Sequence, residues 1–177
     1  RWEDESGLQL AACLHLFSAA HDRGITSAGY TYGEQLVNHG SNPLLDPLCS
    51  GAAMRMLHEG CGYSRSAKAR FVAGDAVACR TLKVCWEGPD PGRNCGACQK
   101  CLRTRLNFLA GAGIEPACFD TPFDPTAIDR MPARSAVEFE DLDSILRFAA
   151  AEGSAWSGAP SLRRRIEIII ILPFDTL

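Results

Sequence analysis

The chain lacks any run of the roughly 20 consecutive apolar residues that a membrane-spanning helix requires. The nearest approach, Ile166-Glu-Ile-Ile-Ile-Ile-Leu172, is short and carries a charge. It reads as a buried strand, or as a sticky edge if left uncovered, and no membrane partner is expected. Basic residues are not in excess: 18 Lys and Arg stand against 21 Asp and Glu, for a formal net charge of −3. With no basic stripe interleaved with aromatics, nucleic acid is not an expected partner. The one basic run, Arg163-Arg164-Arg165, reads as a solvated end. Internal repeats and low-complexity tracts are missing too, which excludes a solenoid or a disordered linker protein. Trp2 to Gly7 has neither a basic leader nor an apolar signal core, and the start at Arg1 rather than Met suggests a fragment of a longer protein. No complete catalytic motif occurs anywhere in the chain.

What is present is a globular composition, 46% hydrophobic and 22% charged over 177 residues, enough for one ordinary domain. The 9 cysteines are an odd number, and a domain of this size does not need disulfides to fold. A reduced, cytoplasmic setting is therefore the expectation.

Apolar residues at helical spacing predict a helix over Leu8 to Ala20, stopped at Asp22-Arg-Gly24, and Ile25 to Tyr32 reads as a strand. That helix-to-strand step is of the α/β kind. From Val37 to Ser50 two prolines and a glycine break both periodicities and predict a structured loop. Ser64 is a candidate cap for a helix running to Ala73. Thr81 to Trp86 reads as a short strand, and Leu102, Leu106 and Leu109, at i, i+4 and i+7, predict a helix as far as the Gly111/Gly113 break. Beyond it, Pro116 to Pro132 reads as loop, 139–151 as the one helix of an irregular extension covering 116–177, and Ser154 to Pro160 as a linker.

Four of the cysteines fall within 17 residues, from Cys85 to Cys101. Cys95, Cys98 and Cys101 form overlapping Cys-x-x-Cys turns, the spacing that offers thiolates to a tetrahedral zinc ion. Between Cys85 and Cys95, Gly88, Pro89, Pro91 and Gly92 can turn the chain back, and Gly96 relieves crowding where amides approach sulfur. Arg93, Lys100, Arg103 and Arg105 are near enough in sequence to offset the excess negative charge. A disulfide, an iron–sulfur cluster and unligated thiols remain alternatives, although Arg105 stands where a ferredoxin-type run has its fourth cysteine. Four protein ligands leave no open position, so such a metal would be structural. Cys13, Cys49, Cys61, Cys79 and Cys118 have no paired spacing and read as small apolar side chains.

Cys85, its Gly/Pro-rich spacer and Asn94-Cys-Gly-Ala-Cys-Gln-Lys-Cys-Leu-Arg103 resemble the zinc-binding C-terminal part of the 7-cyano-7-deazaguanine synthase family, within the N-type ATP pyrophosphatase superfamily. Gly40-Ser-Asn-Pro-Leu-Leu-Asp-Pro-Leu48, His58-Glu-Gly60, Ser64-Arg-Ser-Ala-Lys68 and Leu82-Lys-Val-Cys-Trp86 are similar to an uncharacterised branch of the same superfamily. The resemblance spans roughly Trp2 to Phe123. It implies an α/β fold, the C-terminal half of a Rossmann-like three-layer α/β/α sandwich over residues 1–115, with a four-cysteine zinc-binding element at 85–101. It also implies an enzyme that adenylates an acceptor with ATP, releases pyrophosphate, and lets a nitrogen or sulfur nucleophile displace AMP. By the same resemblance Arg65 and Lys68 would lie near the phosphates, Ser41, Asn42 and Asp46 would line the acceptor pocket, and Cys85, Cys95, Cys98 and Cys101 would hold Zn2+. Its ligands would be a small-molecule acceptor and ATP with Mg2+, and a homodimer is the candidate assembly. The family's phosphate loop, Ser-Gly-Gly-x-Asp-Ser, does not occur in this chain, and Asp4-Glu-Ser-Gly7 does not reproduce it. ATP and Mg2+ are therefore expected only with an N-terminal part that carries it, and a non-catalytic zinc module for protein or RNA is the alternative. His58 reads as a structural or surface imidazole rather than a general base, because no partner for its ring is evident from sequence.

Overall fold

The computed structural model describes residues 2–34, 39–131, 135–154, 156 and 158–171, with side chains at 4–34, 39–131, 135–154, 156 and 158–167. The expectations placed on Arg1, Val37, Pro132 and Leu172 lie outside the described residues. The chain is mixed α/β and divides into two compact units, 1–64 and 65–177.

In the first unit, helix α1 (Trp2–His15) is followed by strand β1 (Arg23–Ser27), a 3-10 turn at Asp46–Cys49 and strand β2 (Arg55–Glu59). The strands pair in parallel, Arg23 opposite Arg55 through Ser27 opposite Glu59. This two-stranded sheet is the only one among the described residues. Burial alternates along β1, with Gly24 and Thr26 inward, as the strand period of two requires. Gly24 has a steric reason: a Cβ there would lie 2.8 Å from the Met56 sulfur and 3.2 Å from Leu14. Its absence lets α1 pack closely over a small core of Ala11, Met54 and Met56, flanked by Leu14 and Cys49. The helix ends at His15, before the expected Ala20, and β1 stops at Ser27, short of Tyr32.

The second unit is helical: α2 (Arg65–Ala73), α3 (Ala76–Thr81), α4 (Gln99–Ala112), a 3-10 segment at Pro125–Arg130, α5 (Ala136–Ala151) and α6 (Ala159–Ile171). Its main core joins Leu102, Leu106 and Ala110 of α4 to Ile128, Met131, Leu142, Ile145, Ala149, Trp156, Leu162 and Ile166. A second face of α4 places Phe108 against Ala69 and Cys79. At Gly111 a Cβ would meet the Ser66 carbonyl at 2.4 Å, so glycine sets the close approach of α2 to α4. Gly113, with φ of +68°, ends α4 in the left-handed conformation that glycine adopts without strain.

Two expected strands are not strands. Thr81 is the last residue of α3, and 82–86 run as irregular chain. Among the described residues no neighbouring strand takes their amides; the Asn94 Oδ1 accepts from Val84 N at 2.9 Å instead. Helix α3 starts at Asp75, whose carboxylate accepts from the amides of Val77 and Ala78. The Ile-rich C-terminus belongs to α6 as far as Ile171, because Leu162 and Ile166, four residues apart, both face the core. Residues 116–171 thus contain two long helices rather than one, and the expected linker 154–160 already includes the start of α6.

Candidate metal centre

The four cysteine ligand atoms of Cys85, Cys95, Cys98 and Cys101 lie within 4.8 Å of one another, close enough to hold a metal ion. Among the described residues this is the group of three or more such side chains that converges in this way. Local structure explains the convergence. Cys98 is the N-cap of α4, with φ −70° and ψ 163°, so Cys101 follows within the first turn. Gly96 has φ of +77°, which turns the Cys95–Cys98 link back on itself at a conformation costly for other residues. The amide of Cys95 donates to the Cys85 sulfur, and the amide of Cys98 to the Cys95 sulfur, each at 3.3 Å.

The Cys85 arm is tied to this turn by Asn94, a buried side chain that sequence reasoning did not single out. Its Oδ1 accepts from Val84 N, and its Nδ2 donates to the carbonyls of Leu82, at 2.8 Å, and Cys118, at 3.3 Å. The Lys83 ammonium donates to the Arg93 carbonyl. Arg105, 1% exposed, lies behind Gly96: its Nη2 would be 3.2 Å from a Cβ there and donates to the Thr121 carbonyl at 2.7 Å. The same guanidinium pairs with Glu115 at 3.2 Å and stacks over Phe119.

The donor set fits a tetrahedral ion by size. With a Zn–S bond of about 2.3 Å, a tetrahedron has S···S edges of about 3.8 Å. The Cys95 and Cys101 sulfurs are 3.8 Å apart, far outside a disulfide's about 2.05 Å, and all nine cysteines are free thiols. Their electrostatics are unequal. Burial pushes the Cys85 thiol up, but the amides of Cys95 and Glu87, with the thiols of Cys101 and Cys95, outweigh it and bring it down to about 6. Burial raises Cys98 and Cys101, and in Cys101 the adjacent Cys85 adds to the rise. Without a cation, one arm of the cluster is thus ready to be thiolate and the α4 arm is not.

Among the other cysteines, Cys61 and Cys79 are buried as expected, whereas Cys13 is exposed and Cys49 and Cys118 are half-buried.

In the first unit, the expected trio of Ser41, Asn42 and Asp46 does come together. Asp46, 1% exposed, accepts from Ser41 Oγ at 2.8 Å and from the Asn42 amide at 3.3 Å. Two unexpected partners complete the cluster: Thr26 Oγ1 donates to Asp46 Oδ2 at 2.6 Å, and His58 Nδ1 lies 2.7 Å from the same oxygen. The partner that sequence could not name for His58 is Asp46, brought there because Thr26 and His58 face each other across the sheet. Asn42 acts mainly on its own loop, its Oδ1 accepting from the amides of Leu44 and Leu45. A cavity of about 250 Å³ beside Asp46 is lined by Asp4, Leu8, Gly40, Leu45, Leu48 and Cys49.

Arg65 and Lys68 lie in the second unit, on the first turns of α2. Arg65 is 3.7 Å from Asp141, a carboxylate 3% exposed that also pairs with Arg103. No protein-family model, curated protein or solved structure matches the chain. No helix among the described residues is long and apolar enough to cross a membrane.

Proposed function

We propose that the four cysteines hold one structural Zn2+, and that the chain is the zinc-clasped part of an ATP-dependent adenylating enzyme of the pyrophosphate-releasing class. The observation that carries the zinc reading is the gathering of four sulfurs within 4.8 Å of one another, with the Cys95–Cys101 edge of 3.8 Å matching that of a tetrathiolate. Four protein ligands leave no position for water, so the ion organises structure rather than activating a nucleophile. The adenylating reading is supported by the motif resemblance and by the meeting of Ser41, Asn42 and Asp46 in one buried cluster. On that reading the three-layer sandwich would be completed by strands beyond the two described. A second reading, a zinc module that binds a partner without catalysis, is favoured by the closed set of four cysteine ligands, which leaves no open position for chemistry at the ion.

Metal analysis with X-ray absorption tests the first claim. About one zinc per chain with four sulfurs at about 2.3 Å is expected, and Cys98→Ala is expected to lose the ion. Iron–sulfur absorption bands, or a Cys98→Ala protein with undiminished zinc, would refute it. The coding sequence upstream of Arg1 separates the two functional readings: an in-frame strand followed by a Gly-rich phosphate loop supports the enzyme, and an unrelated domain there supports the module.

A further inference from the structure

Trp86 follows Cys85, and Lys100 precedes Cys101, so a contact between these two side chains would join both arms of the cluster from outside. That contact exists: the Lys100 Nζ lies 3.2 Å from the centroid of the Trp86 ring. Three of the other nearby cations are each engaged by a carboxylate, Arg93 by Asp120, Arg103 by Asp141 and Arg105 by Glu115, and Lys83 is engaged by the Arg93 carbonyl. Lys100 has no carboxylate at ion-pair distance among the described residues and is half-buried. Cys85 is 2% exposed and Cys101 is fully buried, so a tetrathiolate around a divalent cation would place an excess of about two negative charges largely out of water. A cation beside it then has a large effect, since Coulomb energy scales inversely with the local dielectric.

We propose that Lys100, seated on Trp86, is the positioning residue of the metal centre. Its ammonium supplies counter-charge to the thiolates, and its contact with the ring holds the Cys85 arm against α4 before the ion arrives. Trp86 is 72% exposed, an unfavourable place for indole that the stacked cation in part explains. The inference rests on the metal reading above but makes a separate claim about these two side chains.

The test is zinc affinity, measured by competition with a chromophoric chelator at low and at high salt, for wild type, Lys100→Gln, Lys100→Arg and Trp86→Leu. Lys100→Gln is expected to weaken zinc binding about tenfold at low salt, with the difference shrinking as salt screens the charge. Lys100→Arg is expected to stay within about twofold of wild type, because guanidinium also stacks on indole. Trp86→Leu is expected to fall between them. Circular dichroism of the zinc-loaded proteins checks folding; if Lys100→Gln does not fold, zinc dissociation rates of Lys100→Arg and Trp86→Leu decide the matter. A Lys100→Gln protein equal to wild type at low salt, or a salt-independent loss that arginine does not rescue, overturns the proposal and leaves the metal reading standing. A wild type that binds no zinc removes both.

Discussion

Asp46 keeps its charge although 1% of its surface meets water. Burial alone would push its carboxyl up, but hydrogen bonds from Thr26, His58 and Ser41 outweigh burial and hold it below the usual carboxylate value. The sign of the pH dependence follows. A group whose folded pKa is depressed contributes stability that is fully present above its unfolded value, near 3.8, and that is lost as pH falls through the folded value. Asp46→Asn is therefore expected to cost about 3 kcal/mol at neutral pH, because His58 and two hydroxyls lose their anionic acceptor in a buried place. It should also flatten the acid limb of the stability curve. Urea unfolding across the acid range measures both, and an unchanged acid limb would mean that this carboxylate does not hold the first unit together. Ser41 and Asp46, five residues apart in one loop, were readable as neighbours from the chain. Thr26 was not, because its place depends on which strand pairs with β1.

Helix α4 shows how far a periodic pattern carries and where it stops. The spacing of Leu102, Leu106 and Leu109 marks the helix and its inner face, and Leu102 and Leu106 are buried while Leu109 packs at the edge of the core. The pattern does not reveal that α4 is covered on a second side, through Phe108 and Gly111, because two buried faces blur the polar stripe that periodicity relies on. Leu106→Ala removes a side chain with no exposed surface and is expected to cost about 3 kcal/mol. Val77→Ala on α3, where the side chain is 58% exposed, should change stability by less than about 0.5 kcal/mol. Denaturant midpoints check the pair, and equal costs would contradict the placement of the core. Helix α3, of six residues, is too short for a periodic signal. Its readable sign was Asp75, a capping residue before Ala76-Val-Ala-Cys. Residues 166–171 show the opposite error: a run of isoleucines favours a strand by propensity, yet packing of Leu162 and Ile166 against α5 and the 3-10 segment made it helix.

At the scale of the whole chain the two units are built to different strengths. The second has a continuous core drawn from α4, α5, α6 and the segment at Pro125–Arg130. The first rests on a core cluster of Ala11, Met54 and Met56, the Asp46 network and, among the described residues, a two-stranded parallel sheet, an arrangement that is marginal when strands lack further neighbours. Native-state hydrogen exchange is expected to find lower opening free energies at the amides of β1 and β2 than at those of α4 near Leu106. Equal protection in both places would show that the first unit has support its own core does not supply. The cysteine cluster could be read directly from the chain, because ligands three residues apart need only tight turns and one left-handed glycine to converge. The Asp46–His58 contact and the helical state of the isoleucine run could not. Each rests on partners a dozen or more residues away, and local preference does not encode which distant surface will exclude water from a given side chain.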